Sequence, residues 1–89
     1  MRDVKDLQRE VKSGNEARNL LDNDLFRGAM SSIKETLIHG FEMTKYDEST
    51  ERDEIWRKLQ ALGWVESALL TAVQSGTIAG KELEKARVK

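Results

Sequence analysis

The sequence contains no cysteine and no proline, and only six of its 89 residues are glycine. Without cysteine the chain has no disulfides and no cysteine-based zinc site, two common supports of a small fold. Without proline, and with few glycines, little interrupts a long helix. A chain of this length buries only about 60 to 65% of the surface of its unfolded state. We therefore expect oligomerisation or a partner to supply stability.

The sequence also lacks an excess of charge of one sign and has no long apolar run. Lys and Arg number 15 against 16 Asp and Glu, which gives a formal net charge of -1. This balance produces no overall attraction to nucleic acid or to an anionic membrane. No run approaches the roughly 18 apolar residues of a membrane span, and the charged N-terminal segment lacks the apolar core of a signal peptide. We expect one small soluble domain, residues 1–89, located in the cytoplasm.

No arrangement of residues predicts catalysis, a cofactor or a metal site. His39 is the only histidine, and no cysteine or suitably spaced carboxylate joins it as a metal ligand or general base. The serines lack the context of a nucleophile elbow, and Lys81, which follows Gly80, lacks the rest of a phosphate-binding loop. We expect a protein without enzymatic activity, cofactor or bound metal.

Apolar periodicity predicts two long amphipathic helices. In the first, at about residues 24–43, large apolar residues recur at helical spacing within an arc of roughly 80°. These residues are Phe26, Met30, Ile33, Leu37 and Phe41. Asp22, Asn23 or Asp24 can cap the start of this helix by accepting hydrogen bonds from its first free amides.

The second predicted helix covers about residues 50–75 and follows an acidic turn. Its apolar stripe consists of Ile55, Leu59, Leu62, Leu69, Leu70 and Val73. Ser49 or Thr50 can cap its start, and Gly76 is placed to end it with a left-handed cap. With the flanking apolar residues, the stripe is wider than one antiparallel neighbour can cover.

Shorter helical segments are expected on either side of this hairpin. The N-terminal segment has an apolar seam one residue wide, formed by Val4, Leu7 and Val11. Gly14 is expected to end that segment, and residues 1–15 either pack on the hairpin or form a mobile arm that awaits a coiled-coil partner. Residues 77–89 are expected to form a short C-terminal helix or tail. The predicted fold class is all-α, an antiparallel helical hairpin completed by oligomerisation.

Some residues do not fit a two-helix core and predict contacts with a partner. Trp64 projects from the polar side of the second helix, where it either contacts another subunit or the N-terminal segment, or lies flat on its own helix. Glu66 projects into the apolar stripe and needs an ion-pair partner, which Lys34, Arg27 or another chain can supply. Ile38 lies off the stripe of the first helix. The predicted partner-binding residues are Trp64, Val4, Leu7, Val11, Ile38 and Glu66.

The pattern NLLDNDLF at residues 19–26, followed by DEIWRKLQALGWVESALLTAVQSGTIAGKEL at 53–83, resembles a group of small helical proteins encoded among the structural genes of tailed bacteriophages. The matching positions are Leu20, Leu21, Asn23, Leu25, Phe26, Trp56, Leu59, Leu62, Leu69 and Gly76. The chain departs from the group's pattern at Thr77, where the group has lysine, and at Phe41, near which the group has tryptophan. The resemblance implies a phage origin and a role in morphogenesis or in the virion.

Three functions remain open from the sequence. The favoured one is a phage assembly protein that self-associates and binds a capsid, portal or packaging protein, in the host cytoplasm or in the virion. The second is a small inhibitor or adaptor that presents Trp64 and the acidic turn to a host or defence protein. The third is an oligomeric packaging or regulatory protein that contacts DNA through basic residues at its ends. Those at the C-terminal end are Lys81, Lys85, Arg87 and Lys89.

Overall fold

The computed structural model describes residues 2–87, which form three α-helices. These are α1 (Val4–Leu21), α2 (Asp24–Glu42) and α3 (Ser49–Arg87), the last with 39 residues. Both α1 and α2 run antiparallel to α3 and lie end to end along it. Helix α1 packs on the C-terminal half of α3, and α2 packs on the N-terminal half. The predicted all-α class and helical hairpin are confirmed.

The hairpin is a single layer of helices. Its extents are 65 × 26 × 14 Å, and the smallest is close to the diameter of one helix, about 10 to 12 Å. The radius of gyration of the Cα atoms is 18.9 Å, whereas a compact domain of this length has about 12 Å. Within residues 2–87, therefore, no second layer covers either flat face of the hairpin.

Asn23 lies between α1 and α2, which together form the first arm of the hairpin; α3 forms the second arm. Its backbone is extended, and its Oδ1 accepts a hydrogen bond of 2.9 Å from the amide of Phe26. This confirms one of the three predicted caps, since a side-chain oxygen here satisfies an amide that has no partner within the helix. From Val4 to Glu42 the first arm spans as many residues as α3 does.

The two arms are joined by a short turn that Arg52 closes. The guanidinium of Arg52 donates hydrogen bonds to the carbonyl oxygens of Lys45 and Tyr46. Helix α3 already includes Ser49, so this predicted cap residue lies inside the first turn. The predicted position of the turn, between the two long helices, is confirmed.

Two predicted helix ends are wrong, and both involve glycine. Gly14 lies within α1, and Gly76 lies within α3, which continues to Arg87. A Cβ atom on Gly14 would stand 2.9 Å from the Cα of Gly76 and 2.9 Å from the carbonyl oxygen of Ala72. Only a residue without a side chain lets two backbones approach so closely. A glycine within a helix is less favourable than alanine by about 1 kcal/mol. The close packing of α1 on α3 compensates for this cost.

These corrections change the predicted terminal segments. Residues 4–15 belong to α1, where Leu7 and Gly14 are buried against α3, so this part of the predicted arm is docked. Residues 77–87 continue α3 without a break and do not form a separate short helix. Arg2 and Asp3 precede α1, and the side chain of Asp3 caps it by accepting a hydrogen bond from the amide of Lys5. Residues 1, 88 and 89 lie outside the described part of the chain.

The closely packed end of the hairpin is the one that carries the chain termini. Among residues 2–87 the buried residues are Leu7, Gly14 and Ala17 of α1 with Gly76 and Ala79 of α3. Within Asp24–Glu42, all of which the structure describes, no residue is buried. Helix α2 meets α3 through side-chain ends, and a Cβ on Gly40 would touch only the Cδ1 of Ile55, at 3.5 Å. The hairpin is thus tight at one end and loose at the other.

Helix α3 faces both other helices along one continuous seam. The residues of this seam are separated by four and three positions in alternation, which is the pattern of a coiled coil. They are Ile55, Leu59, Leu62, Glu66, Leu69, Val73, Gly76, Gly80 and Leu83, and all are buried or half-buried. Leu70, which was predicted to belong to this stripe, lies beside it with 52% of its surface exposed.

Candidate protein-interaction surface

Large apolar side chains stay in solvent in the half of the hairpin built from α2 and the N-terminal part of α3. The exposed ones include Leu25, Ile33, Ile38, Phe41, Met43, Trp56, Trp64, Val65 and Leu70. The accessible surface totals 7224 Å², whereas a compact protein of this mass exposes about 5,300 Å². The excess of about 1,900 Å² is roughly twice the 800 Å² or so that each partner contributes to a standard protein interface.

A shallow groove of about 290 Å³ lies between α2 and α3. Its apolar lining residues are Leu21, Phe26, Met30 and Leu70, and its polar ones are Arg27, Ser31, Lys34 and Glu66. On α2, Ile38 and Phe41 continue the helical stripe on which Arg27 and Lys34 lie. The groove therefore opens on the same flat face as these two exposed apolar residues.

Glu66 forms an ion pair across this groove. Its Oε1 lies 2.5 Å from Nζ of Lys34, and the two side chains are 34% and 42% exposed. Lys34 was one of the predicted partners of Glu66. Because water screens both groups, such a pair contributes only about 0.2 to 1 kcal/mol, so it aligns α2 on α3 more than it stabilises the fold.

A second group of ion pairs lies at the opposite end of the hairpin, where Arg2 contacts both Glu10 and Glu82. Nη1 of Arg2 lies 2.6 Å from Oε1 of Glu10, and Nη2 lies 3.0 Å from Oε1 of Glu82. Its hydrogen bonds to Glu82 and then to Glu10 raise the pKa of Arg2 above its ordinary value. The guanidinium of Arg2 thus links the segment before α1 to the last turns of α3.

The predicted partner-binding residues other than Glu66, which pairs with Lys34, fall into two groups. Leu7, at 4% exposure, and the half-buried Val11 pack against α3 and serve an internal contact. Val4 and Ile38 are each 48% exposed, and Trp64 is 73% exposed. Helix α1 lies along the seam of α3, so Trp64, on the other side of α3, does not pack on the N-terminal segment.

The distribution of charge along α3 is a signal that the sequence analysis missed. Residues 59–80 contain a single charged side chain, Glu66, and Lys34 neutralises it. Helices α1 and α2 cover only the seam side of this segment. We call the uncovered side the back of α3; its exposed residues are Gln60, Trp64, Ser67, Ala68, Thr71, Gln74 and Ile78. Depletion of charge is typical of the core of a protein interface.

His39, the only histidine, is exposed in the last turn of α2. Among residues 2–87, no group of three or more His, Cys, Asp or Glu side chains could hold a metal ion. None of the described helices combines the length and apolar character needed to cross a membrane. Comparison with protein-family models, with curated proteins and with solved structures finds no match for this chain.

Proposed function

We propose that this chain is a non-enzymatic assembly protein that self-associates and binds a protein partner in virion morphogenesis. The observation that carries the proposal is the exposed apolar surface of the α2 half of a hairpin one helix thick. Within Asp24–Glu42 every residue is exposed or half-exposed, although Phe26, Met30 and Leu37 form an apolar stripe. Removal of such apolar surface from water favours association.

Self-association is favoured because the open surface is large relative to the chain. A stable interface takes about 800 Å² from each partner, and this chain exposes about 1,900 Å² more than a compact protein of its mass. One further copy therefore leaves surface for a different protein. The role in virion assembly rests on the resemblance of residues 19–26 and 53–83 to small phage structural-gene products.

Sedimentation velocity across micromolar concentrations tests the proposal. We expect a concentration-dependent oligomer, because the monomer leaves Ile38, Phe41 and Trp64 in water. Circular dichroism at the same concentrations measures the helix content and shows whether the chain is folded at each of them. A chain that remains monomeric throughout and unfolds cooperatively at every concentration would refute self-association and would favour the inhibitor or adaptor function.

Binding of a virion component needs a separate test. The purified chain is immobilised and exposed to separately purified capsid, portal and packaging proteins of a tailed phage. We expect saturable binding to one of them. Absence of binding to all of them would refute the role in morphogenesis, while the sedimentation result would still decide self-association.

A further inference from the structure

We propose that the hairpin opens in two steps: the half that contains α2 unfolds first and as a unit, while α1 stays docked on the C-terminal part of α3. We call residues 24–68 the loose half, and residues 4–21 together with 70–87 the tight half. The loose half consists of α2, the turn and the part of α3 that faces α2. This inference concerns the single chain and does not depend on the proposed self-association.

Burial differs sharply between the two halves. Within the described residues 2–87, the buried residues are Leu7, Gly14, Ala17, Gly76 and Ala79, and all of them belong to the tight half. None of residues 18–75 is buried, and this range contains the whole loose half. Segments with few buried apolar contacts open at a lower free energy than the rest of a fold. The loose half is therefore the part that opens first.

The glycines are distributed in the same way. Gly14 and Gly76 lie in the tight half, where the missing side chains allow backbone contact between α1 and α3. Gly28 and Gly63 lie in the loose half, and nothing stands within 4 Å of a Cβ atom added to either. These two glycines lower the helix propensity of α2 and α3 without a packing contact that compensates.

The connections between the two halves are weak. The backbone of Asn23 is extended, so α2 can lose its helix without disturbing the hydrogen bonds of α1. Helices α1 and α2 also make little contact with each other. Within residues 2–87, the ion pair of Lys34 with Glu66 is the one salt bridge between α2 and α3. Because water screens this pair, it holds α2 only weakly.

The two helical segments of the loose half depend on each other. Helix α2 has 19 residues, and most of the stability of a helix in a protein comes from the packing of its apolar face. Once α2 leaves α3, both segments lose that packing, so both unfold up to the region that α1 covers. Opening then frees the apolar stripe of Phe26, Met30 and Leu37, which the closed hairpin half-covers.

Native-state hydrogen exchange, read by mass spectrometry on proteolytic fragments, tests the two steps. We expect the amides of residues 24–62 to be protected at least about 30-fold less than those of α1. Their exchange should also respond less to added urea, because partial opening exposes less surface than complete unfolding. The measurement is repeated after tenfold dilution, since any protection that association supplies decreases on dilution. Equal protection of both halves in the dilute sample, with equal urea dependence, would overturn the proposal.

Leu59 and Leu83 provide a matched pair of variants. Both are half-buried on the seam of α3, Leu59 in the loose half and Leu83 in the tight half. Leu83 keeps its contacts in the partly open state, so Leu83→Ala should lower the protection of α1 by about tenfold and leave that of α2 unchanged. Leu59 loses its contacts in the first step, so Leu59→Ala should lower the protection of both halves by the same factor.

The pattern of these effects decides between three modes of opening. If both variants lower the protection of both halves equally, the hairpin unfolds in one step. If each variant affects only its own half, the halves open independently. Either result would overturn the proposed sequence of steps. Sedimentation still decides self-association, so failure of the proposed function and failure of the two-step opening are distinguishable.

Discussion

Gly14 of α1 and Gly76 of α3 are in backbone contact, and a Cβ atom added to either residue would stand about 3 Å or less from the Cα of the other. Contacts of this length do not occur between real Cβ atoms and backbone. The two glycines thus fix the closest approach of α1 to α3. They also account for the difference between the tight and loose ends of the hairpin.

The glycines provide a test with internal controls. We expect Gly14→Ala or Gly76→Ala to destabilise the chain by about 1 to 3 kcal/mol, because the new methyl group forces two helix backbones apart. Gly28→Ala and Gly63→Ala should instead stabilise it by up to about 1 kcal/mol, since nothing lies within 4 Å of an added Cβ and alanine favours helix. Urea unfolding measures all four. Effects of the same sign at all four positions would contradict the close contact.

Two leucines test where the core lies. Leu7 is 4% exposed and Leu25 is 82% exposed. We expect Leu7→Ala to lower the free energy of unfolding by about 2 to 3 kcal/mol, because it leaves a cavity between α1 and α3. Leu25→Ala should change it by less than about 0.5 kcal/mol. The measurement is thermal or urea unfolding followed by circular dichroism, and equal losses would show that α1 is not docked as described.

A double-mutant cycle can measure the strength of the ion pair between Lys34 and Glu66. With Lys34→Met, Glu66→Gln and the combination, we expect a coupling energy of about 0.2 to 1 kcal/mol that falls as salt is added. The two side chains are 42% and 34% exposed, so water screens them. A coupling well above this range would mean that association of the chain buries the pair.

Asn23 determines where the first arm breaks. Replacement by alanine removes the hydrogen bond from the Phe26 amide and should cost about 1 kcal/mol. Asp22→Ala is the matched control, because only the backbone of Asp22 takes part in ending α1. Equal losses for the two variants, measured by urea unfolding, would show that the side chain of Asn23 does not act as the cap.

The features predicted correctly from the sequence depend on local chemistry. The apolar stripes of α2 and α3 follow from the helical period, and the cap at Asn23 follows from the reach of a short polar side chain. Trp64 was placed on the polar side of α3 by the same period, and it is exposed there.

The incorrect predictions depend on contacts between residues far apart in the sequence. Gly76 has the position of a helix terminator, and only the presence of Gly14 opposite it reveals a packing role. Likewise, the sequence left open whether the segment of Leu7 and Val11 packs on the hairpin or awaits an external partner, and the structure packs it on the C-terminal part of α3. Helical periodicity shows that such a stripe must be covered and does not show by which segment.

The ion pair between Arg2 and Glu82 joins residues 80 positions apart, so the best-packed end of the hairpin unites the beginning and the end of the chain. Contacts over such a separation require closure of a long loop and form slowly relative to local ones. During synthesis, α1 leaves the ribosome long before the residues that cover Leu7 and Gly14 exist. The looser α2 end can form first, and the firm end closes only when the last turns of α3 have been made.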